Sequence, residues 1–425
     1  DRLLREAIEL DPRYAPAYAE LAQVLMLRSD HPTSYGRLPI DEARAEARML
    51  ARKAIELDPN LGDAYAAMGF IYLQDKRSEP FYRKAAELTP QRADYHRWLA
   101  TSLGQRSAFA ESLVEYRRAK EIDPLWYINN EHYAGALIFV GQYEEARRVA
   151  RRFLQLSTDE RAKLLLLRGM ANSEGRSFDN YRYSKLLFDR LPDERNNRFN
   201  YASGLAGLGE HRQAAALMSH EALSKALLSG DWAAAAREAA AMGRHYWDRS
   251  RLWNSADLLV RSGHGDVLVR LYDQSRSLIQ AGEVDIDLVA LPATVLALRN
   301  AGRAQDAREL LAQFARTNRK LPDRGLGGTI KRTNLAQIAA LSGRNDEALN
   351  RLEQLSRDAP LILIPVPTMS LFNSPFYQGL RADPRLLEAD ERLRSALNSE
   401  RQKAGLAPIS REAWISDPKT LLTKN

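Results

Sequence analysis

The apolar positions of this chain recur at helical spacing, and four of the helical stretches end alike. Ala-Ile-Glu-Leu-Asp-Pro stands at Ala7–Pro12 and again at Ala54–Pro59, with close variants at Ala85–Pro90 and Ala119–Pro124. In each, an apolar stripe runs into Asp or Thr and then Pro. Proline cannot continue a helix, and it pushes the residue before it out of the α region. Each segment is therefore predicted as a helix with a forced stop. From Pro90 to Pro124 is 34 residues, from Pro59 to Pro90 is 31, and from Pro12 to Pro59 is 47. The extra length of the last interval sits in Met26–Asp41.

A second marker takes over downstream, a Gly with an Ala five residues later. It stands at Gly141/Ala146, Gly209/Ala214, Gly230/Ala235, Gly302/Ala307 and Gly343/Ala348, and Gly175 has Asn180 in the Ala place. The glycine is predicted to end the first helix of a pair in a left-handed turn. The alanine lets the second helix lie close against the first. Gly141, Gly175 and Gly209 follow one another at steps of 34. No segment sustains a two-residue alternation, so no sheet is expected.

Repetition at 34 residues is the tetratricopeptide (TPR) period. The expected fold is all-α, a TPR-type α-solenoid: a right-handed superhelix of antiparallel helix pairs with a C-terminal cap. Residues 1–215 read as an N-terminal array with an expanded first repeat. Residues 216–285 read as irregular helical repeats and 286–360 as C-terminal repeats. Residues 361–425 read as a capping segment, helix and tail. Within that last part, Leu361–Phe376 is apolar with three prolines. It is expected to lie over the last repeat, ahead of a helix at about Pro384–Ala404.

The chain resembles the TPR-containing C-terminal half of bacterial signalling proteins, the winged-helix transcriptional regulators and adenylate-cyclase-like proteins. The residues that carry the resemblance are the expanded first repeat (Asp11–Leu25 and Ser34–Pro59), the repeat Trp126–Leu156, and the terminal Leu380-Arg381-Ala382-Asp383-Pro384-Arg385, where Leu386 replaces the usual Phe. The resemblance implies a protein-interaction or sensor module, periplasmic if the parent is a membrane-anchored regulator and otherwise cytoplasmic. The first residue is Asp1, inside a repeat, with no initiator Met and no signal peptide. A longer parent with its output function upstream is the expectation.

Charge and composition add little that competes. The net charge is +7, but the basic residues are scattered among Asp and Glu on helices, so direct nucleic-acid contact is not expected. No apolar run has the length of a membrane span. There are no cysteines, so disulfides, thiolate nucleophiles and cysteine-ligated zinc are absent. The seven histidines never fall at i and i+4, so no helix face offers a metal pair. Arg324–Thr329, Arg-Gly-Leu-Gly-Gly-Thr, lacks the Lys-Ser/Thr ending of a phosphate loop and reads as a flexible connector between repeats. No catalytic residue, metal or cofactor is expected, and the chain is not read as an enzyme.

The candidate chemistry is recognition. Extended peptides bind the concave face of a solenoid, which the first helix of each pair lines. With the inter-helix glycine counted as position 15, the concave residues are positions 2, 5, 6 and 9. They give Asn196, Phe199 and Asn200 in the repeat at Gly209, Trp253 and Asn254 at Gly263, and Asn334 and Gln337 at Gly343. Asparagine recurs at position 6, where its amide can pair with a peptide backbone; an ordinary exposed helix residue is the competing reading. Before Pro124 the same face carries Arg97 and Trp98, types that anchor interfaces, although Trp98 also suits the gap between helices. The function expected is binding of a protein or extended peptide. The alternatives are a small-ligand sensor, or the repeat portion of an enzyme whose catalytic domain lies upstream.

Overall fold

Helices follow one another along nearly the whole described chain, and the breaks between them fall at the Pro and Gly positions. A computed structural model describes residues 1–29, 38–72, 77–218, 221–249, 255–281, 286–359, 361 and 370–415. The N-terminal helices are α1 (Arg2–Leu10), α2 (Ala15–Leu27), α3 (Ile40–Leu57), α4 (Gly62–Ile71), α5 (Ser78–Leu88), α6 (Ala93–Gln105) and α7 (Phe109–Ile122). Next come α8 (Tyr127–Phe139), α9 (Tyr143–Leu156), α10 (Glu160–Ser173), α11 (Ser177–Arg190), α12 (Arg195–Gly207) and α13 (His211–Leu217). Shorter helices follow, α14 (Ala222–Ser229), α15 (Trp232–Ala241), α16 (Tyr246–Arg249) and α17 (Ser255–Arg261), then α18 (Gly265–Ala281). The last are α19 (Leu291–Asn300), α20 (Ala304–Arg319), α21 (Gly325–Leu341), α22 (Asn345–Asp358), α23 (Pro384–Lys403) and α24 (Arg411–Ile415). Among the described residues there is no strand, only an isolated bridge between Ser29 and Leu38. Contacts divide the chain into two compact units, Asp1–Ala136 with Arg147–Ser157, and Leu137–Ala146 with Thr158–Asn425.

From α8 onward, a recurring turn inside the helix pairs is built on a glycine. Gly141, Gly175, Gly209, Gly230, Gly263, Gly302 and Gly343 all have positive φ, between 70° and 85°. The next residue's N–H then reaches back to a carbonyl five residues earlier, as in Gln142 to Leu137, Arg176 to Ala171 and Glu210 to Leu205, closing the first helix. Ala146, Ala214, Ala235, Ala307 and Ala348 have no exposed surface, which is how the second helix comes close. One pair does this without glycine. Ser107, 34 residues before Gly141, takes φ +65°, and Ser112 fills the Ala place with its Oγ donating to the Ala100 carbonyl at 2.7 Å. The architecture is an all-α, TPR-type solenoid with a C-terminal cap.

The proline breaks have their own device. A helix that stops at Pro leaves its last carbonyls without donors. A side chain six residues on supplies one to the proline carbonyl itself. Tyr18 donates to Pro12, Tyr65 to Pro59, His96 Nε2 to Pro90 and Asn130 to Pro124, at 2.9–3.1 Å. Arg198 does the same for Pro192 at 3.4 Å. One residue earlier, Asn129 and Asn197 donate to the carbonyls of the preceding helix, Ala119 and Asp123 in one case, Leu187 and Leu191 in the other.

Two features of the second unit fall outside what periodicity predicts. Arg324–Thr329 is not a flexible connector. It opens α21, and its glycines admit a close approach. A Cβ on Gly325 would collide with Gly141 N and the carbonyls of Ile138 and Phe139; one on Gly327 would meet the Phe139 ring 2.8 Å away. The C-terminal helix covers the last repeat. Leu386, Ala389, Leu393 and Leu397 of α23 pack with Leu349, Leu352 and Leu355 of α22. Asp390, 3% exposed, gathers the rest: it accepts from Ser370 Oγ, from the Leu371 N–H at 2.6 Å and from Trp414 Nε1 at 2.9 Å. Arg385 of the terminal motif ties α23 to α22, donating to Asp346 Oδ1 and Asn350 Oδ1.

A non-glycine residue in the left-handed region costs about 1 kcal/mol or more. Ser107→Gly should therefore raise the stability of the first unit by about 1 kcal/mol, seen as a higher urea midpoint by circular dichroism. Asn197→Ala removes the second donor from the Leu187 and Leu191 carbonyls, which keep the Leu191 and Glu194 N–H groups, and should cost about 1 kcal/mol, seen in the urea midpoint.

Candidate functional site

In the first unit, consecutive helices line up the residues of one face. Position 9 of α4 is Phe70; positions 2, 5, 6 and 9 of α6 are Asp94, Arg97, Trp98 and Thr101; positions 5 and 6 of α8 are Glu131 and His132. Trp98 is the centre of an aromatic cluster. Its ring lies 5.9 Å from Phe70, 5.7 Å from Tyr82 and 5.9 Å from Tyr95. Tyr82 can lie there because Gly69 has no side chain, and a Cβ on Gly69 would run into the Tyr82 ring. Phe70, Trp98 and Trp126 remain half-buried, so the cluster is both core and surface.

Arg97 sits beside it with its side chain 12% exposed. The guanidinium stacks 5.5 Å from the Trp98 ring and 5.1 Å from Trp126, and Nη2 donates to Asp94 Oδ1 at 2.9 Å. Stacking between two indoles and the pair with Asp94 fix the group's direction, and its charge still reaches the groups around it. The effect is visible on its neighbours. Burial, then the Arg97 charge, pushes His132 down to about 4, so the ring is neutral at pH 7. Burial raises the hydroxyls of Tyr82 and Tyr116 well above the ordinary tyrosine value. Tyr116 shares a 2.9 Å hydrogen bond with Thr101 and meets the His132 ring edge-on at 6.0 Å. The face thus offers aromatic surface, one oriented cation and a neutral imidazole. That combination suits recognition of a chain with apolar side chains and backbone carbonyls.

Arg97 and Trp98 are thus brought together. The remaining candidates lie in the second unit. On α12, Asn196 is exposed and Phe199 and Asn200 are half-buried, with Phe199 packed against the core. On α21, Gln337 is half-buried, but Asn334 is 6% exposed and its Nδ2 donates to Asn318 Oδ1 at 2.9 Å. The Asn334 amide is engaged inside the protein because α20 packs against the face that carries it. Trp253 and Asn254 lie outside the described residues. Phe70 and His132 escaped the sequence reading, although the position rule applied to α4 and α8 reaches both. Trp126, two residues after Pro124, sits in a turn that no helical rule covers. Among the described residues there is no group of three His, Asp or Glu arranged to hold a metal ion, and no helix long and apolar enough to cross a membrane.

No protein-family model matches the chain. No curated protein matches it either. Solved structures do, among them the crystal structure of YrrB, a TPR protein with an unusual peptide-binding site: 16% identity, 55% of this chain, 96% of that chain, TM-score 0.28. A human IFIT1 dimer with PPP-AAAA matches at 13% identity, 80% of this chain, 94% of that chain and TM-score 0.36. The APC/C hetero-tetramer Cut9–Hcn1 matches at 12% identity, 95% of this chain, 86% of that chain and TM-score 0.35. The repeat assignment rests on this chain's own period and helix pairing.

A histidine held neutral by folding couples stability to acid. His132, near 4 when folded, and His211, buried and likewise near 4, take up protons on unfolding below the ordinary histidine value of about 6.5. Their contribution is complete above about pH 6.5 and is lost as pH falls toward 4. The melting temperature should drop across that window, and His132→Gln should flatten the drop, by on the order of 1–3 kcal/mol at its acid end.

Proposed function

We propose that the chain is a protein-interaction module that binds a protein or extended peptide along the faces of the first helices of its pairs, with the Arg97–Trp98 face of the first unit as the main site. The observation that carries this reading is the half-buried aromatic strip of Phe70, Trp98 and Trp126 around a stacked arginine. Aromatic and arginine anchors in partly desolvated surroundings dominate the energetics of protein interfaces. An aromatic group needed only for packing could be fully covered, as Tyr95 is at 1% exposure. Among the described residues of the asparagine set in the second unit, Asn196 and Asn200 on α12 remain open for a peptide backbone; Phe199 stands between them. The finer reading, that the module serves a bacterial signalling or transcriptional regulator, is supported by the expanded first repeat and the Leu380–Arg385 motif.

Peptides selected on the protein from a random displayed library test the reading. They should bind the intact chain, and Trp98→Ala or Trp126→Ala should weaken them at least about tenfold, a loss of about 1.4 kcal/mol. Helical content should be unchanged. Selected peptides that bind both variants as well as the parent would move the site elsewhere.

A further inference from the structure

The C-terminal helix α23 does more than cover the last repeat. Its middle is apolar and belongs to the cap. Beyond Leu397 its character changes: Glu400 and Arg401, each 7% exposed, reach residues about two hundred positions earlier in the same unit. Glu400 Oε2 accepts the Phe178 N–H at 2.9 Å. This is the first turn of α11, whose own N-cap residue, Arg176, makes no side-chain cap. Glu400 is thus the cap of α11, a carboxylate at the positive end of a helix. Arg401 faces the opposite kind of helix end. Its Nη1 donates to the Leu208 carbonyl at the close of α12, its Nη2 pairs with Glu210 Oε1 at 3.0 Å, and its Nε donates to the Ala407 carbonyl at 2.7 Å. Two adjacent residues therefore match two helix termini of opposite polarity, and Lys403 pairs with the remaining Glu400 oxygen.

We propose that this last turn of α23 is a releasable strap, which holds the second unit shut across α11–α13 and can come free without unfolding the last repeat. The two ends of α23 are fastened by different forces. The cap is held by buried leucines of one core cluster, whereas the repeats that Glu400 and Arg401 reach contribute to a separate one. Phe376 alone among the cap's described hydrophobics packs against both clusters. Apolar burial has no partner in water that replaces it, so the cap stays. Buried ion pairs and hydrogen bonds exchange closely with hydration, so their net hold is small even when every donor is matched. His211, the first residue of α13, is buried near the same guanidinium, and its Nδ1 has no partner. The fastening is therefore matched around Arg401 but incomplete beside it. Release would free the start of α11 and the end of α12, the helix that carries Asn196 and Asn200, and so would alter the curvature that a ligand of that face meets.

Hydrogen exchange read by mass spectrometry on the full chain tests this. In Arg401→Met, amides of residues 178–182 and 208–214 should exchange at least tenfold faster, while residues 336–355 under the cap keep their protection. Glu400→Gln keeps an acceptor for Phe178 but no charge, and should show a smaller change confined to 178–182. If Arg401→Met does not fold, Arg401→Lys, which keeps the charge without the planar fork, carries the same expectation. Unchanged exchange at 178–214 in the folded variants would overturn the proposal. So would acceleration spreading equally to 336–355, since α23 would then be one inseparable body.

Discussion

A helix that stops at a proline leaves carbonyls pointing along its axis with no donor of its own to meet them, and in this chain the next helix supplies the donors. Asn129 and Asn197 do so directly, and the residue six positions after the proline holds the turn itself, donating to the proline carbonyl with tyrosine, histidine, asparagine or arginine according to the repeat. The chemical identity varies because only reach and a donating hydrogen are required. What the bond fixes is rotation. Once position 4 of the incoming helix is turned toward the proline, and position 3 toward the helix behind it in the repeats with Asn129 and Asn197, positions 2, 5, 6 and 9 have no choice of side. The aromatic face of α4, α6 and α8 is therefore a consequence of how the preceding helices end.

That logic explains what could be read from the sequence. Glycine at the inter-helix turn is legible because few other residues accept a positive φ, and every glycine so marked has one. Ser107 holds the same place and is invisible, since serine carries no such mark. The glycines of 324–329 were misleading for a related reason. Glycine signals either a free backbone or a crowded one, and here it is the crowding of α21 against residues 138–141 that excludes a Cβ. Arg97 and Trp98 were legible as neighbours on one helix face because repeat position alone places them there. Asn334 was not, because whether an amide faces a groove or its neighbour Asn318 depends on the tilt of α20, which no periodicity encodes.

The two units illustrate two ways of using the same repeat. In the first, the main contacts run between helices close in sequence, from α1 to α7. Stability of that kind is a sum of local terms, and opening at one point need not spread. In the second, residues 138–141 meet 325–327, and Glu400 and Arg401 meet 178 and 208–210. Such contacts join the early repeats to the late ones, so this unit is tied by non-local contacts as well as by nearest neighbours.

The glycine seam carries an evolutionary constraint as well. An open solenoid can gain or lose a whole repeat, because each unit sees only its neighbours. Between Gly141 and Gly325 the chain cannot do so. At Gly325 the contact is with backbone, Gly141 N and the carbonyls of Ile138 and Phe139, which cannot be shortened or repacked as a side chain can. A repeat added or removed inside that span would carry the glycines past each other. The irregular short helices from α13 to α17 are then the natural place for the chain to absorb length, with the two ends of the span held at a set separation.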